Sequence, residues 1–247
     1  MKIVMMSDLH GHLPKWEDVP ECDIVGLCGD NVPLDYQNDD VASIAWFCLE
    51  FVPWTDKLRC KKVLFIAGNH DFFLEHLMYG SIKDDGTRKM YSASDVLKRL
   101  LPGNNKGQHK LVYLRDSSFK FEGKTFYGTP WITDLPGWAF NCSENYFKEN
   151  ILSKIPNRCD VLMLHMPPSM CNMGTVLQSN YNYGTNYGNE SLTDVLMKKQ
   201  IAYTFCGHVH SGEHEVQEYK KGCKIVNVSI KDERYCLWNK EIIVYEI

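Results

Sequence analysis

Five short segments of this chain carry side chains that can donate to metal ions: Asp8-Leu9-His10, Gly29-Asp30-Asn31, Gly68-Asn69-His70-Asp71, His165 and Gly207-His208-Val209-His210. Asp8, His10, Asp30, Asn69, His165, His208 and His210 supply seven oxygen and nitrogen donors, enough for two ions. Carboxylate, amide and imidazole together suit Mn, Fe or Zn better than Ca. Taken singly, an Asp-x-His or a Gly-Asp is more simply a turn or a helix cap. Gly-Asn-His-Asp is less easily dismissed, because it crowds three polar side chains where a turn needs one. The two histidines of Gly-His-x-His reach one centre only on a bent strand end, since residues two apart on a straight strand are held roughly 6 to 7 Å from each other.

The elements that must position these donors are legible as apolar runs. Ile3 to Met6, Ile24 to Cys28, Val63 to Ala67, Val161 to Leu164 and Ala202 to Cys206 each run into one of the five segments. Such runs read as buried strands, and α/β sheets bind ligands beyond the carboxyl ends of their strands. Between them, Asp39 to Val52 predicts a covering helix with Val41, Ile44, Ala45, Cys48 and Val52 inward and Asp39 and Asp40 at its positive end. Ser94 to Leu101 predicts a short helix stopped by Pro102-Gly103. Leu111 to Tyr127 reads as a hairpin turning at Glu122-Gly123-Lys124. Asn141 to Ile155 predicts a helix with Tyr146, Phe147 and Ile151 on its apolar stripe. Ser169 to Asn189 has little periodicity and reads as a long loop, either lining a substrate pocket after His165 or running over the surface. Ser191-Leu192-Thr193-Asp194 resembles a capping box, with Lys198 and Lys199 at the far end of its helix. Beyond His210, Lys224 to Ile230 and Ile242 to Tyr245 predict strands closing a second sheet.

Size and charge narrow the function. A donor set drawn from both ends of the sequence cannot be divided, so residues 1–247 are expected to form one domain. A net charge of −4 and a pI near 6.1 are unlike the basic footprint of a nucleic-acid binder, so no extended nucleic acid is expected as partner. The ten cysteines include no Cys-x-x-Cys pair, and Cys28 and Cys206 fall inside apolar runs, which predicts buried thiols rather than disulfides. The first apolar run begins at Ile3, which leaves no room for a signal peptide, and no run is long enough to span a bilayer. The expectation is a cytoplasmic protein without a membrane partner, in which the sequons at Asn141, Asn189 and Asn227 go unused.

The order Asp-x-His, Gly-Asp, Gly-Asn-His-Asp, His, Gly-His-x-His, from Asp8 to His210, resembles the calcineurin-like metallophosphoesterase family. Gly128-Thr129-Pro130-Trp131, Gly137-Trp138-Ala139-Phe140-Asn141 and His165-Met166-Pro167-Pro168 further resemble its small metallophosphoesterase-domain phosphodiesterases. The resemblance implies an α/β fold, a four-layer α/β/β/α sandwich of two central mixed sheets with the metal site at strand carboxyl ends. It also implies two divalent ions, Mn the first guess. Asp30 would bridge them, Asp8, His10 and His210 would complete one site, and Asn69, His165 and His208 the other.

The chemistry implied is hydrolysis of a phosphoester. Two ions about 3.5 to 4 Å apart lower the pKa of a bridging water and clamp the phosphoryl oxygens. In the family, the histidine at His70 aids the departing alkoxide, and Asp71 is expected either to orient it or to cap the following helix. His12 is read as a solvated loop residue. Protein phosphatases of the family carry an Arg shortly after Gly-Asp, whereas Asn31 to Gln37 contains none. That departure favours a small diester such as a cyclic nucleotide over a dianionic monoester. Trp131 and Trp138 are read as core packing or as a stacking wall. The alternatives are a phosphomonoesterase or nuclease on the same site, or a non-catalytic metal-binding scaffold.

Overall fold

The apolar runs become the central strands of two sheets, in a computed structural model that describes residues 1–82, 88–102, 109–178, 181–238 and 241–247. In chain order the strands are β1 (Lys2–Met6), β2 (Ile24–Cys28), β3 (Lys62–Ile66), β4 (Tyr79–Ile82), β5 (Arg88–Met90), β6 (Leu111–Tyr113), β7 (Ser117–Phe121) and β8 (Lys124–Thr129). They continue as β9 (Ile132–Thr133), β10 (Asn141–Cys142), β11 (Arg158–Leu164), β12 (Gln200–Cys206), β13 (Gln217–Lys220), β14 (Cys223–Asn227) and β15 (Val244–Glu246). The helices are α1 (Asp40–Trp46), α2 (Val52–Lys57), α3 (Phe72–Met78), α4 (Ala93–Leu100), α5 (Glu144–Tyr146) and α6 (Glu190–Lys198). One sheet has the order β15-β1-β2-β3-β6 and the other β13-β14-β12-β11-β8-β7. Both are mixed: β15, β13 and β7 run antiparallel to their neighbours and the remaining pairings are parallel.

Period-two alternation explains why the runs are apolar throughout. Ile3, Met5, Ile24, Leu64 and Ile66 face Phe126, Val161, Met163, Phe205 and Val226 across the gap between the sheets. The alternate residues, among them Val4, Val25, Phe65, Leu162 and Ile225, pack with residues of the outer helices such as Trp46, Phe73, Phe147 and Leu192. The central strands β1, β2, β3, β11 and β12 are buried on both faces along most of their length, and each large side chain so buried contributes about 1.5 to 3 kcal/mol. The result is the four-layer α/β/β/α sandwich.

Several local expectations are corrected. The helix predicted over 39–52 runs on to Lys57, and Asp39 caps it by accepting from Val41 N and Ala42 N at 2.9 and 3.0 Å. Its buried face is Ser43, Trp46, Phe47, Phe51 and Val52, whereas Val41 is 78% exposed. The aromatic residues take the core, and a π-turn at Phe47–Phe51, with Val52 N bonded to Phe47 O, brings Phe51 under Phe47. The wider turn also admits Pro53, which has no N–H to donate. Leu111–Tyr113 is not part of the hairpin. It pairs in parallel with β3 in the first sheet, while β7 and β8 alone form the hairpin in the second, turning through positive φ at Glu122 and Gly123.

Ser92 caps α4, which ends before Pro102; Gly103 lies outside the described residues. The segment 141–155 is not one regular helix but a short strand, α5, a π-turn at Phe147–Ile151 and a 3-10 turn at Leu152–Lys154. Tyr146 is exposed there, while Phe147 and Ile151 are buried. Asn189, not Ser191, caps α6, its Oδ1 accepting from Leu192 N at 2.7 Å, and the Ser191 hydroxyl donates to Glu144. Finally, β14 joins the second sheet as expected, but β15 crosses back to pair with β1 of the first.

Candidate metal centre

Strands β1, β2 and β3 of one sheet and β11 and β12 of the other end beside one another, and every predicted donor lies just past one of these ends. The backbone bends sharply there: Asp8, His10, Asp30 and His208 have φ of +58°, +42°, +53° and +70°. Non-glycine residues in this region cost about 1 to 3 kcal/mol each and persist only where surrounding structure holds them. Hydrogen bonds do so here, with Asp8 N donating to Gly29 O at 3.0 Å, His10 N to Asp30 O at 2.9 Å and His208 N to Asp8 Oδ1 at 3.1 Å. Two glycines are needed for close approach. A Cβ at Gly68 would collide with the Asp30 carboxylate, and one at Gly207 with Ser7 and Asp8.

Asp30 stands between two groups of donors. Its Oδ2 is 3.4 Å from His165 Nε2 and 3.8 Å from both His10 Nε2 and His70 Nε2, and its Oδ1 accepts from His70 N at 2.9 Å. On one side His10 Nε2 and His210 Nε2 are 3.3 Å apart, with His210 Nε2 3.6 Å from Asp8 Oδ1. On the other, Asn69 Oδ1 is 2.9 Å from His165 Nε2 and 2.8 Å from His208 Nδ1. Donor atoms of Asp8, His10 and His210 lie within 4.8 Å of one another, as do those of Asp8, Asp30 and His165. The fit to metal ions is good: buried carboxylate, amide and imidazole lone pairs converge, and His10 Nδ1 is left without a protein partner among the described residues.

Electrostatics divides the histidines. Burial lowers His10 to about 4 against the opposing pull of Asp30 and Asp8, and burial with the neighbouring His165 lowers His208 to about 3. Both rings are therefore neutral, the form that binds metal. Burial also presses His165 down, but the charge and hydrogen bond of Asp30, with Asp8 and Cys28 O, carry it up to about 9. Burial works against the Asp30 carboxylate, yet His165 and His70 hold it well below the ordinary range.

His70 sits beside these donors, its Nδ1 against Gln37 Oε1 and its ring 4.5 Å from that of Trp138. Asp71 does not orient that ring. Its carboxylate accepts from Gly68 N at 2.8 Å, Val32 N at 3.0 Å and Asn31 N at 3.1 Å, tying the second and third donor segments together. Nor does its side chain cap α3. Burial and Asp30 raise it to about 6, with those backbone donors pulling the other way. The two tryptophans separate: Trp131 is buried, donating to Asp116 Oδ2 at 2.9 Å, whereas Trp138 is 36% exposed beside His70. His12 is half-buried, lowered by burial and by Lys231.

Sequence reasoning missed Gln37, Asp232 and Tyr235. Asp232 O accepts from His210 Nδ1 at 2.8 Å, and the Tyr235 ring stands 4.9 Å from His10 and 5.1 Å from His210. No periodicity or motif marks these residues; only chain folding brings them here. A cavity of about 760 Å³ adjoins His208, lined in part by Thr133, Asp134, Val176, Tyr187 and Glu233, so described residues of the predicted 169–189 loop line a wall next to the centre; residues 179 and 180 lie outside the described residues.

Residues 1–212 match the profile described as calcineurin-like phosphoesterase. Metallophosphoesterase domain-containing protein 1 of Homo sapiens is 27% identical over 216 residues, covering 85% of this chain and 61% of that protein. A UPF0046 protein of Caenorhabditis elegans is 24% identical over 256 residues, covering 98% of this chain and 59% of its own length. The chain thus spans about three-fifths of the length of these curated relatives. The solved structure of phosphopantetheinyl hydrolase from Mycobacterium tuberculosis shares the fold, with a TM-score of 0.50 at 15% identity over 95% of this chain and 90% of that one. The chain belongs to the calcineurin-like phosphoesterase family.

Proposed function

We propose that the chain is a metal-dependent phosphoester hydrolase that holds two divalent ions, manganese the first candidate, and cleaves a small phosphodiester. The observation that carries this reading is the position of Asp30 between two buried donor groups, with His70 beside them. In this assignment Asp8, His10, Asp30 and His210 hold one ion, and Asp30, Asn69, His165 and His208 the other. Bound there, the ions supply a nucleophilic water at neutral pH and neutralise phosphoryl charge. His70 then serves the leaving group, because its Nε2 is the ring nitrogen turned toward Asp30 while Nδ1 is held by Gln37. Trp138 offers an exposed ring face to one ester substituent, and the cavity beside His208 has room for the other.

The preference for a diester rests on charge. Metals alone can neutralise a monoanionic diester, whereas the second charge of a monoester lacks a guanidinium between Asn31 and Gln37. A cyclic nucleotide is a substrate of this class. We place the protein in a reducing compartment, the cytoplasm, in keeping with its ten free cysteines. No helix among the described residues is long and apolar enough to cross a membrane. An aryl phosphodiester and the monoester with the same leaving group, compared with manganese at one pH, test the assignment. The diester is expected to give the higher kcat/KM. A clear preference for the monoester returns phosphatase to first place, and hydrolysis of neither with any of Mn, Fe or Zn leaves the metal-binding scaffold.

A further inference from the structure

The wall of the centre nearest His10 and His210 is built by a segment beyond the residues that match the family. Lys231 and Leu237 form a bridge across a tight loop, in which Asp232 N donates to Cys236 O at 2.8 Å and Tyr235 N to Asp232 O at 2.9 Å. The loop is fastened to the His208-Val209-His210-Ser211 turn at two points. Asp232 O accepts from His210 Nδ1, and Glu233 Oε1 accepts from Ser211 N at 2.9 Å and from its hydroxyl at 2.7 Å.

So fastened, the loop holds Tyr235 at φ +61°, a conformation that bulky residues avoid. The strain has a visible result. The Tyr235 ring meets His10 at 81° and His210 at 88°, edge to face, while 41% of the residue remains open to solvent. Among the described residues its hydroxyl has no hydrogen-bond partner. A phenol is a hydrogen-bond donor at neutral pH, and this one lies close enough to the Asp30 and Asp8 carboxylates to feel both. An apolar ring would cover the histidines equally well, and the hydroxyl, open to solvent at the mouth of the centre, is free to meet a bound anion.

We propose that Tyr235 is a substrate-contacting residue, its hydroxyl donating a hydrogen bond to a non-bridging oxygen of the bound phosphoryl group. This rests on the phosphoester hydrolase reading above. It gives the chain a phosphoryl donor in a site where no arginine follows Asp30, and places that donor on a loop outside the family match.

The test compares manganese-loaded wild type, Tyr235→Phe and Tyr235→Ala of the 247-residue chain, using calorimetric binding of inorganic phosphate, bound-metal analysis and kinetics on an aryl diester. Tyr235→Phe keeps the ring, so it should keep the metal content and melting temperature of wild type. It should bind phosphate about tenfold more weakly and show a matching loss of kcat/KM. Tyr235→Ala should weaken metal retention as well, because both histidines lose their cover. Phosphate affinity and kcat/KM unchanged in Tyr235→Phe would overturn the contact and leave the ring as cover alone. Wild-type protein that holds metal but neither binds phosphate nor cleaves an ester would overturn this proposal together with the hydrolase reading.

Discussion

The two donor groups that meet at Asp30 are made from the same kinds of side chain but are held in different ways. Around His165 the restraint is internal and buried: Nδ1 donates to Cys28 O at 2.9 Å, and Asn69 Oδ1 lies between the two imidazoles. Around His10 the restraint comes from outside, since His10 Nδ1 is unpartnered among the described residues and His210 is oriented by a carbonyl of the 231–237 loop. The charge state follows the packing, with His165 raised to about 9 and His10 lowered to about 4. Both halves are set by the ends of parallel strands, but the His10 half depends in addition on the 231–237 loop folding over it. Outer partners that orient metal ligands tune both affinity and basicity, so equal composition does not make the halves equivalent.

The severest test of this division is removal of what the halves share. Asp30→Ala is expected to lose both metals and all turnover, because each group then lacks its common carboxylate. Metal analysis of the purified variant decides it; retention of both ions would mean that the groups are independent sites. His70→Ala, which removes a ring beside the donors but none of the donors themselves and keeps the backbone N–H that bonds Asp30, should keep both metals and lower kcat by about a hundred- to a thousandfold for an alkyl leaving group, and less for an activated aryl one. Equal losses on the two substrates would make His70 a positioning group.

Charge sharpens the comparison further. In the metal-free protein His165 is protonated up to about 9, so an ion entering its group at neutral pH must expel that proton. Affinity there should rise by about tenfold per pH unit up to pH 9 and level off above it. His10 itself, lowered to about 4 and already neutral, should add no such dependence through neutral pH. Calorimetric metal titrations in buffers of different ionisation enthalpy, with His165→Ala and His10→Ala as controls, read the two slopes; identical slopes would erase the distinction. The smallest effect is expected at Gln37. Gln37→Met keeps the bulk and removes the acceptor facing His70, which should cost about tenfold in kcat with metal content unchanged.

The sequence alone was enough for the strands and for the residues at their ends. Five apolar runs, each with metal donors at its carboxyl end, form a pattern that turns and helix caps do not generate, and the spacing of glycines before Asp30, Asn69 and His208 already implies close backbone approach. These are local signals, written in neighbouring residues. Which strands share a sheet is not local: β6 reads as one arm of a hairpin and β15 as a strand of the second sheet, yet both pair in the first. The buried face of the 40–57 helical segment was misjudged for a related reason, since a π-turn changes the period from which a face is read.

The partners of the site residues were decided by tertiary structure in the same way. Asp71 and Gln37 are both polar and both near His70, but only the packed chain turns Gln37 toward its ring and Asp71 toward the backbone of Gly68, Asn31 and Val32. Trp131 and Trp138, seven positions apart, part into core and site because one indole finds Asp116 and the other lies against His70. Tyr235 carries no motif at all. A side chain's type and its immediate neighbours limit what chemistry it can do, whereas the group it meets comes from residues far along the chain, and only the closed fold supplies that meeting.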